Sequence, residues 1–261
     1  MIVDAHAHWG PWFFSMETGS MRLNLALLDR FDIDVQLVSA IEAITYDAAS
    51  GNAALERALT ATDDHRLRGY VTIDPRHLDT AERDLARLER PRWVGVKIHT
   101  HYSQTPIASP RMADALRLAT EVGLPVLVHT WGADVVDLAE QAASIDGARF
   151  IAGHMGAHAW HLVPEARRRS DRIWFEPCWS QPQAGRVRWV VDAIGSDRLV
   201  FGSDATLIDP SVTLGAVEAA ELSDSDREAI MSGNAARLFS LVPEAPTHPW
   251  AAGPAENPSA R

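Results

Sequence analysis

A single α/β domain built as a (β/α)8 TIM barrel is the fold this sequence predicts, and three observations predict it. Short runs rich in Val, Ile and Leu alternate with longer stretches of helical period, the pattern of a parallel sheet with crossover helices. Eight such runs occur, near residues 2–6, 34–39, 69–73, 93–98, 125–129, 149–153, 172–176 and 198–203. No Gly-rich phosphate loop follows the first run, which places a barrel ahead of an open doubly wound sheet. The length of 261 residues suits one barrel domain, and 46% hydrophobic with 23% charged residues is the composition of a globular chain.

Between the runs the helical period is readable. Leu78, Ala81, Leu85 and Leu88 form one stripe, and Met112, Ala115, Leu116 and Ala119 form another. Ser109 places a capping hydroxyl before Pro110, and Ser223 with Asp226 resembles a capping box opening a late helix. A long first loop, from Trp9 to about Ser20, carries Trp12, Phe13 and Phe14. Residues 1–241 are expected to form the domain. Residues 242–261 read as a flexible tail, because five of the fifteen prolines fall in the last nineteen positions without apolar period.

Charge and cysteine content bound the function. Lys plus Arg number 24 and Asp plus Glu 35, a net charge of −11 that repels phosphate backbones and anionic lipid. Nucleic acid and membrane surfaces are therefore excluded as partners; a small molecule is the expected one, and a homo-oligomer is compatible with the chain. No apolar run approaches a membrane span and no signal segment opens the sequence, so a cytoplasmic location is expected. Cys178 is the one cysteine, which rules out an internal disulfide and, on this reading, a Cys-based zinc site.

The chemistry lies at the ends of the runs. The first run delivers Asp4-Ala5-His6-Ala7-His8, and residues two apart on a strand share a face, so both imidazoles converge on one ion. His129 ends the fifth run, His154 the sixth and Asp204 the eighth. In a barrel the C-terminal strand edges surround one mouth, where five metal-competent side chains would meet.

Together the His6-x-His8 pair, His129, Gly153-His154-Met155-Gly156, Gly202-Ser203-Asp204 and the late segment Asn234-Ala235-Ala236-Arg237-Leu238-Phe239 resemble the amidohydrolase superfamily. The resemblance spans about residues 1–241 and is nearest to the amidohydrolase-related branch that includes aminocarboxymuconate-semialdehyde decarboxylase, resorcylate decarboxylases and lactone hydrolases. It implies that His6, His8, His129 and Asp204 hold one divalent ion, zinc or manganese, and that His154 is the acid/base beside it, with Asp204 the second catalytic group.

Lys97 has three readings. On the fourth run the odd positions Trp93, Gly95, Lys97 and His99 are expected to face the barrel interior. There Lys97 is a carbamate bridging two ions, as in binuclear members of the superfamily, or an ammonium that binds a substrate carboxylate or orients Asp204; otherwise it faces solvent. His99 and His101 follow it as substrate-contact candidates. Trp9, Trp12, Tyr102, Trp131 and Trp179 cluster after strand ends and suggest a partly apolar, flat substrate. Glu176 ends the seventh run as a further substrate or histidine contact.

Two reactions fit these residues. The first is hydrolysis of an amide, ester or lactone by metal-activated water, and the second is non-oxidative decarboxylation of a small unsaturated or aromatic acid. A TatD-type nuclease is disfavoured by Lys97, which stands where that group has a glutamate, and by the net charge. A non-catalytic binding barrel is disfavoured by intact ligand residues at four strand ends.

Overall fold

Each strand pairs with the next in sequence, all in parallel. The computed structural model describes residues 1–15, 20–88 and 92–241, so the expected tail, 242–261, lies outside the described residues. The sheet runs in the order β1 (Val3–Trp9), β2 (Val35–Ala40), β3 (Leu67–Thr72), β4 (Trp93–Ile98), β5 (Val126–His129), β6 (Phe150–Gly153) and β7 (Ile173–Glu176). Helices intervene as the periodicity required. All four residues of the Met112 stripe are buried on Pro110–Glu121, and Ser109 Oγ accepts the Met112 N–H. The Leu78 stripe forms Leu78–Leu85, with Leu88 just beyond it. Ser223 Oγ caps the helix Asp224–Glu228 by accepting the Asp226 N–H.

The eighth run departs from expectation. Among the described residues it is not a strand, and it meets its neighbours through single bridges, Phe175 with Leu199 and Ala7 with Ala205. Backbone bonds still tie the segment to both edges of the curled sheet: Val200 N–H to Phe175 O at 3.0 Å, Ala5 N–H to Phe201 O at 2.9 Å and Asp204 N–H to His6 O at 2.7 Å. The ladder is interrupted because Phe201 N–H turns away to Ile230 O and because Asp204 adopts φ +59°. Extended backbone cannot continue through a left-handed residue.

Two apolar clusters lie on the two faces of the sheet. Val3, Ala5, Leu37, Tyr70, Val94, Leu127 and Ile151 pack with Ala235, Leu238 and Phe239, and these strand residues precede the strand ends that carry the site. The larger cluster joins the other face to the helices and includes Ala7, Val38, Val71, Val96, Val128 and Phe175. The odd-position reading of β4 holds for Lys97 but fails at its start. Trp93 belongs to the helix-facing cluster and Val94 to the inner one. A register shift between Gly69 and Tyr70 on β3 sets Trp93 opposite Gly69 and Gly95 opposite Tyr70. One residue of irregularity reverses the facing of everything before it.

Candidate active site and metal centre

β1 presents His6 and His8 as the alternation required, both buried. His6 Nδ1–H donates to Glu176 Oε2 at 2.7 Å, which leaves Nε2 as the acceptor that receives Lys97 Nζ at 2.8 Å. His8 Nε2 meets Asp204 Oδ1 at 2.8 Å, and its Nδ1 meets Ser39 Oγ at 2.9 Å. His6 Nε2 is 3.8 Å from the same Asp204 oxygen. One ligand atom from each of His6, His8 and Asp204 thus lies within 4.8 Å of the others.

Below this trio, Asp4 fixes the backbone. Its carboxylate accepts Ser203 N–H at 2.9 Å, Ser203 Oγ–H at 2.6 Å, Gln36 Nε2–H at 2.9 Å and His6 N–H at 3.3 Å. It therefore ties the residue before Asp204 to the strand of the two histidines. Asp204 and His154 both hold left-handed backbone, φ +59° and +67°. Each such non-glycine residue costs about 1–2 kcal/mol, and such conformations concentrate at functional sites.

His154 belongs to a chain of imidazoles. Its Nδ1 faces Cys178 O at 3.1 Å, and a carbonyl only accepts, so Nδ1 carries the proton. His154 Nε2 then accepts from His129 Nδ1 at 3.1 Å, and His129 Nε2 accepts from His101 Nδ1 at 3.3 Å. One backbone carbonyl thereby sets three tautomers. His129 lies flat between His99, centroids 4.0 Å apart, and Trp131, 5.8 Å apart. The structure brings His129 to His154, His99 and His101, and not into the three-residue group of His6, His8 and Asp204.

Electrostatics follow from burial. Burial, helped by Lys97, holds His6 well below the ordinary histidine range; burial and then His99 do the same for His129. Burial pushes Asp204 upward, but the His8 hydrogen bond and the surrounding histidines outweigh it and keep the carboxylate ionised. Lys97, wholly buried, is brought down to about 8 by desolvation, which Asp204, Cys178 and Glu176 offset only in part.

These groups line a cavity of about 490 Å³. Of the sequence-predicted residues, Trp12, Lys97, His99, Tyr102, Trp131 and Trp179 line it, whereas Trp9 packs on the core and Glu176 is buried behind His6. Ser180, Leu207 and Ile208 complete the wall and were not foreseen. Each follows a chemical residue by three or four positions in an irregular loop, where no periodicity marks facing. Ser39 was also missed, because its role appears only when β2 lies beside β1. Cys178, for which the sequence implies no zinc site, has its Sγ within 4.8 Å of ligand atoms of His6, His154 and Glu176 and donates to Glu176 Oε2 at 2.9 Å; burial pushes its thiol well up.

The family model for amidohydrolases matches residues 3–241. The chain belongs to the amidohydrolase family. Solved structures share the fold of this amidohydrolase. A dihydroxybenzoic acid decarboxylase from Polaromonas sp. JS666, with bound manganese and 2-nitroresorcinol, is 15% identical at a TM-score of 0.71, covering 92% of this chain and 97% of its own. A Pseudomonas putida protein assigned as a 2-pyrone-4,6-dicarboxylic acid hydrolase is 18% identical at a TM-score of 0.74, covering 93% and 98%. An amidohydrolase from Burkholderia multivorans with bound zinc is 17% identical at a TM-score of 0.72, covering 93% and 100%. Comparison with curated proteins finds no match. No helix among the described residues is long and apolar enough to cross a membrane.

Proposed function

We propose that this amidohydrolase is a metal-dependent hydrolase that cleaves an amide, ester or lactone bond in a small, partly aromatic molecule. In this reading the run 198–203 is the eighth stave of the barrel and the cavity is its C-terminal mouth. The observation that carries the proposal is the convergence of His6, His8 and Asp204 at one edge of a cavity that also holds His154.

The donor set fits a hard or borderline divalent ion, zinc or manganese: two imidazoles, His6 oriented from behind by Glu176 and His8 by Ser39, and one ionised carboxylate. One ion held by His6, His8 and Asp204, with His129 as a further candidate ligand, would supply Lewis acidity and lower the pKa of water. The protein does the rest. Asp204, ionised and reached from the cavity, accepts the proton of the attacking water. Asp204 then passes that proton to the leaving group, while His154, hydrogen-bonded through His129 to His101 at the mouth, keeps a neutral imidazole on the cavity wall. Lys97 Nζ, buried in the same wall, binds a substrate anion or steadies Asp204. Trp12, Tyr102, Trp131 and Trp179 clamp a flat substrate, and Trp12 Nε1, buried with no hydrogen-bond partner among the described residues, is a donor left for it.

The neighbouring decarboxylase motivates a second reading. A cavity with Lys97 and six histidines facing aromatic walls also suits a planar carboxylic acid that loses CO2. The two are separated by incubating metal-loaded protein with aryl esters, aryl lactones and hydroxybenzoic acids, and measuring acid release beside CO2 release. Acid release from esters or lactones, lost by at least about a hundredfold in Asp204→Asn, supports hydrolysis. CO2 release without ester cleavage replaces it with the lyase reading.

A further inference from the structure

We infer a second metal site, distinct from the His6, His8 and Asp204 group, formed by Cys178 Sγ, His154 Nδ1, His6 Nδ1 and Glu176 Oε2 and selective for soft divalent ions such as zinc, cobalt or cadmium. His6 stands between the two groups, turning Nε2 to Asp204 and Nδ1 to this cluster.

The four ligand atoms lie within 4.8 Å of one another, and protons join Glu176 to His6 and to Cys178. Ligand atoms about 2.0–2.3 Å from a tetrahedral zinc stand about 3.3–3.5 Å from one another. Cys178 Sγ is 3.5 Å from His6 Nδ1 and 3.3 Å from His154 Nδ1. Glu176 Oε2 is 2.7 Å from His6 Nδ1 and 2.9 Å from Cys178 Sγ, separations set by hydrogen bonds. The carboxylate needs to withdraw by only about half an ångström to complete the edges.

Binding replaces protons with the ion. Cys178 gives its thiol proton to solvent, His154 loses its Nδ1 proton and is reprotonated at Nε2 along the His129–His101 chain, His6 gives its Nδ1 proton to solvent and bridges the two ions as an imidazolate, and no electron is transferred. All four residues are buried, yet His6 and His154 also line the cavity, which provides the entry path. A thiolate with two imidazoles favours zinc, cobalt and cadmium over manganese and magnesium. An ion here ties up His154 Nδ1 and draws His6 Nδ1 away from Glu176, so zinc or cadmium in excess inhibits enzyme loaded with manganese at the first site. The inhibitory consequence rests on the proposed hydrolase reading; the binding does not.

Cobalt reports on both sites. Titration of the full-length protein with Co²⁺ is expected to produce a sulfur-to-cobalt charge-transfer band in the near ultraviolet. Cys178→Ala is expected to lack the band and to bind one ion fewer. Asp204→Asn, which disables only the first group, is expected to keep it. A wild-type protein saturated with cobalt and showing no such band overturns the inference. Should Cys178→Ala fail to fold, X-ray absorption of the zinc-saturated wild type decides: a sulfur neighbour supports the site, and a shell of nitrogen and oxygen alone overturns it. Hydrolysis by the manganese enzyme is read separately, so loss of either conclusion leaves the other standing.

Discussion

His6 and Glu176, from opposite ends of the sheet order, share a 2.7 Å hydrogen bond between Nδ1 and Oε2 with both side chains wholly buried. The carboxylate accepts, so Nδ1 must hold the ring's proton and Nε2 must present a lone pair, which Lys97 Nζ meets at 2.8 Å. Glu176 also accepts His154 N–H at 3.3 Å, which steadies the left-handed turn at His154. In Glu176→Gln the amide must turn its NH₂ toward one of these donors. We expect about a 10–100-fold loss of manganese affinity, measured by competition with a chromophoric chelator. Unchanged affinity with an intact fold removes Glu176 from the metal-positioning role.

Gly202 makes that arrangement possible. A Cβ there would stand 2.6 Å from Glu176 Cγ and 2.7 Å from its Cδ, and the glutamate is wholly buried. Gly202→Ala is expected to destabilise the protein by about 1–3 kcal/mol by overpacking and to weaken manganese binding in parallel. Gly215, in the helix Ser211–Glu218, is the contrast: a Cβ there meets nothing within 4 Å. Gly215→Ala is expected to stabilise by roughly 0.5–1 kcal/mol. Urea unfolding of the two variants tests both signs, and equal effects would contradict the steric account.

Much of this site was legible because its chemistry sits at the ends of apolar runs. His6, His8, His129 and Glu176 lie on strands, His154 directly follows one, and period-two alternation predicts their facing. Legibility stopped where backbone leaves the regular repeat. The bulge before Lys97 reversed Trp93 and Val94, and the left-handed Asp204 broke the eighth run. Partnerships between strands were equally hidden. The sequence shows no partners for Cys178 because His6 and His154, which it meets, are 172 and 24 residues away.

Trp131 offers a test of the aromatic clamp. Its ring lies within 6° of parallel to His129 and meets Trp179 edge-on at 6.2 Å, while 37% of its surface stays exposed at the mouth. In the proposed reading its exposed face meets the substrate. Trp131→Ala is expected to raise KM for an aryl substrate about tenfold, consistent with an aromatic contact of roughly 1–1.5 kcal/mol, and to leave kcat within about threefold. Trp131→Phe should restore most of the KM. A fall in kcat alone would place Trp131 in the proton chain instead.

Asp4 predicts a pH dependence of stability. Burial pushes its carboxyl up to about 7, against the hydrogen bonds from Ser203, Gln36 and His6 that lower it. An acid whose pKa is higher folded than unfolded contributes stability that is complete below the unfolded value, near 3.8, and is lost as pH rises through about 7. The buried histidines act in the opposite sense: His6, His8, His99 and His129 are all lowered by burial, so their neutral folded forms favour the native state as pH rises through about 6.5. The raw profile mixes both, and the difference between wild type and Asp4→Asn isolates the carboxyl. Between about pH 5 and about pH 8 the metal-free wild type should lose up to roughly 2–4 kcal/mol relative to the variant, measured by urea unfolding at each pH. Parallel profiles would show that the four donors around Asp4 keep it ionised throughout.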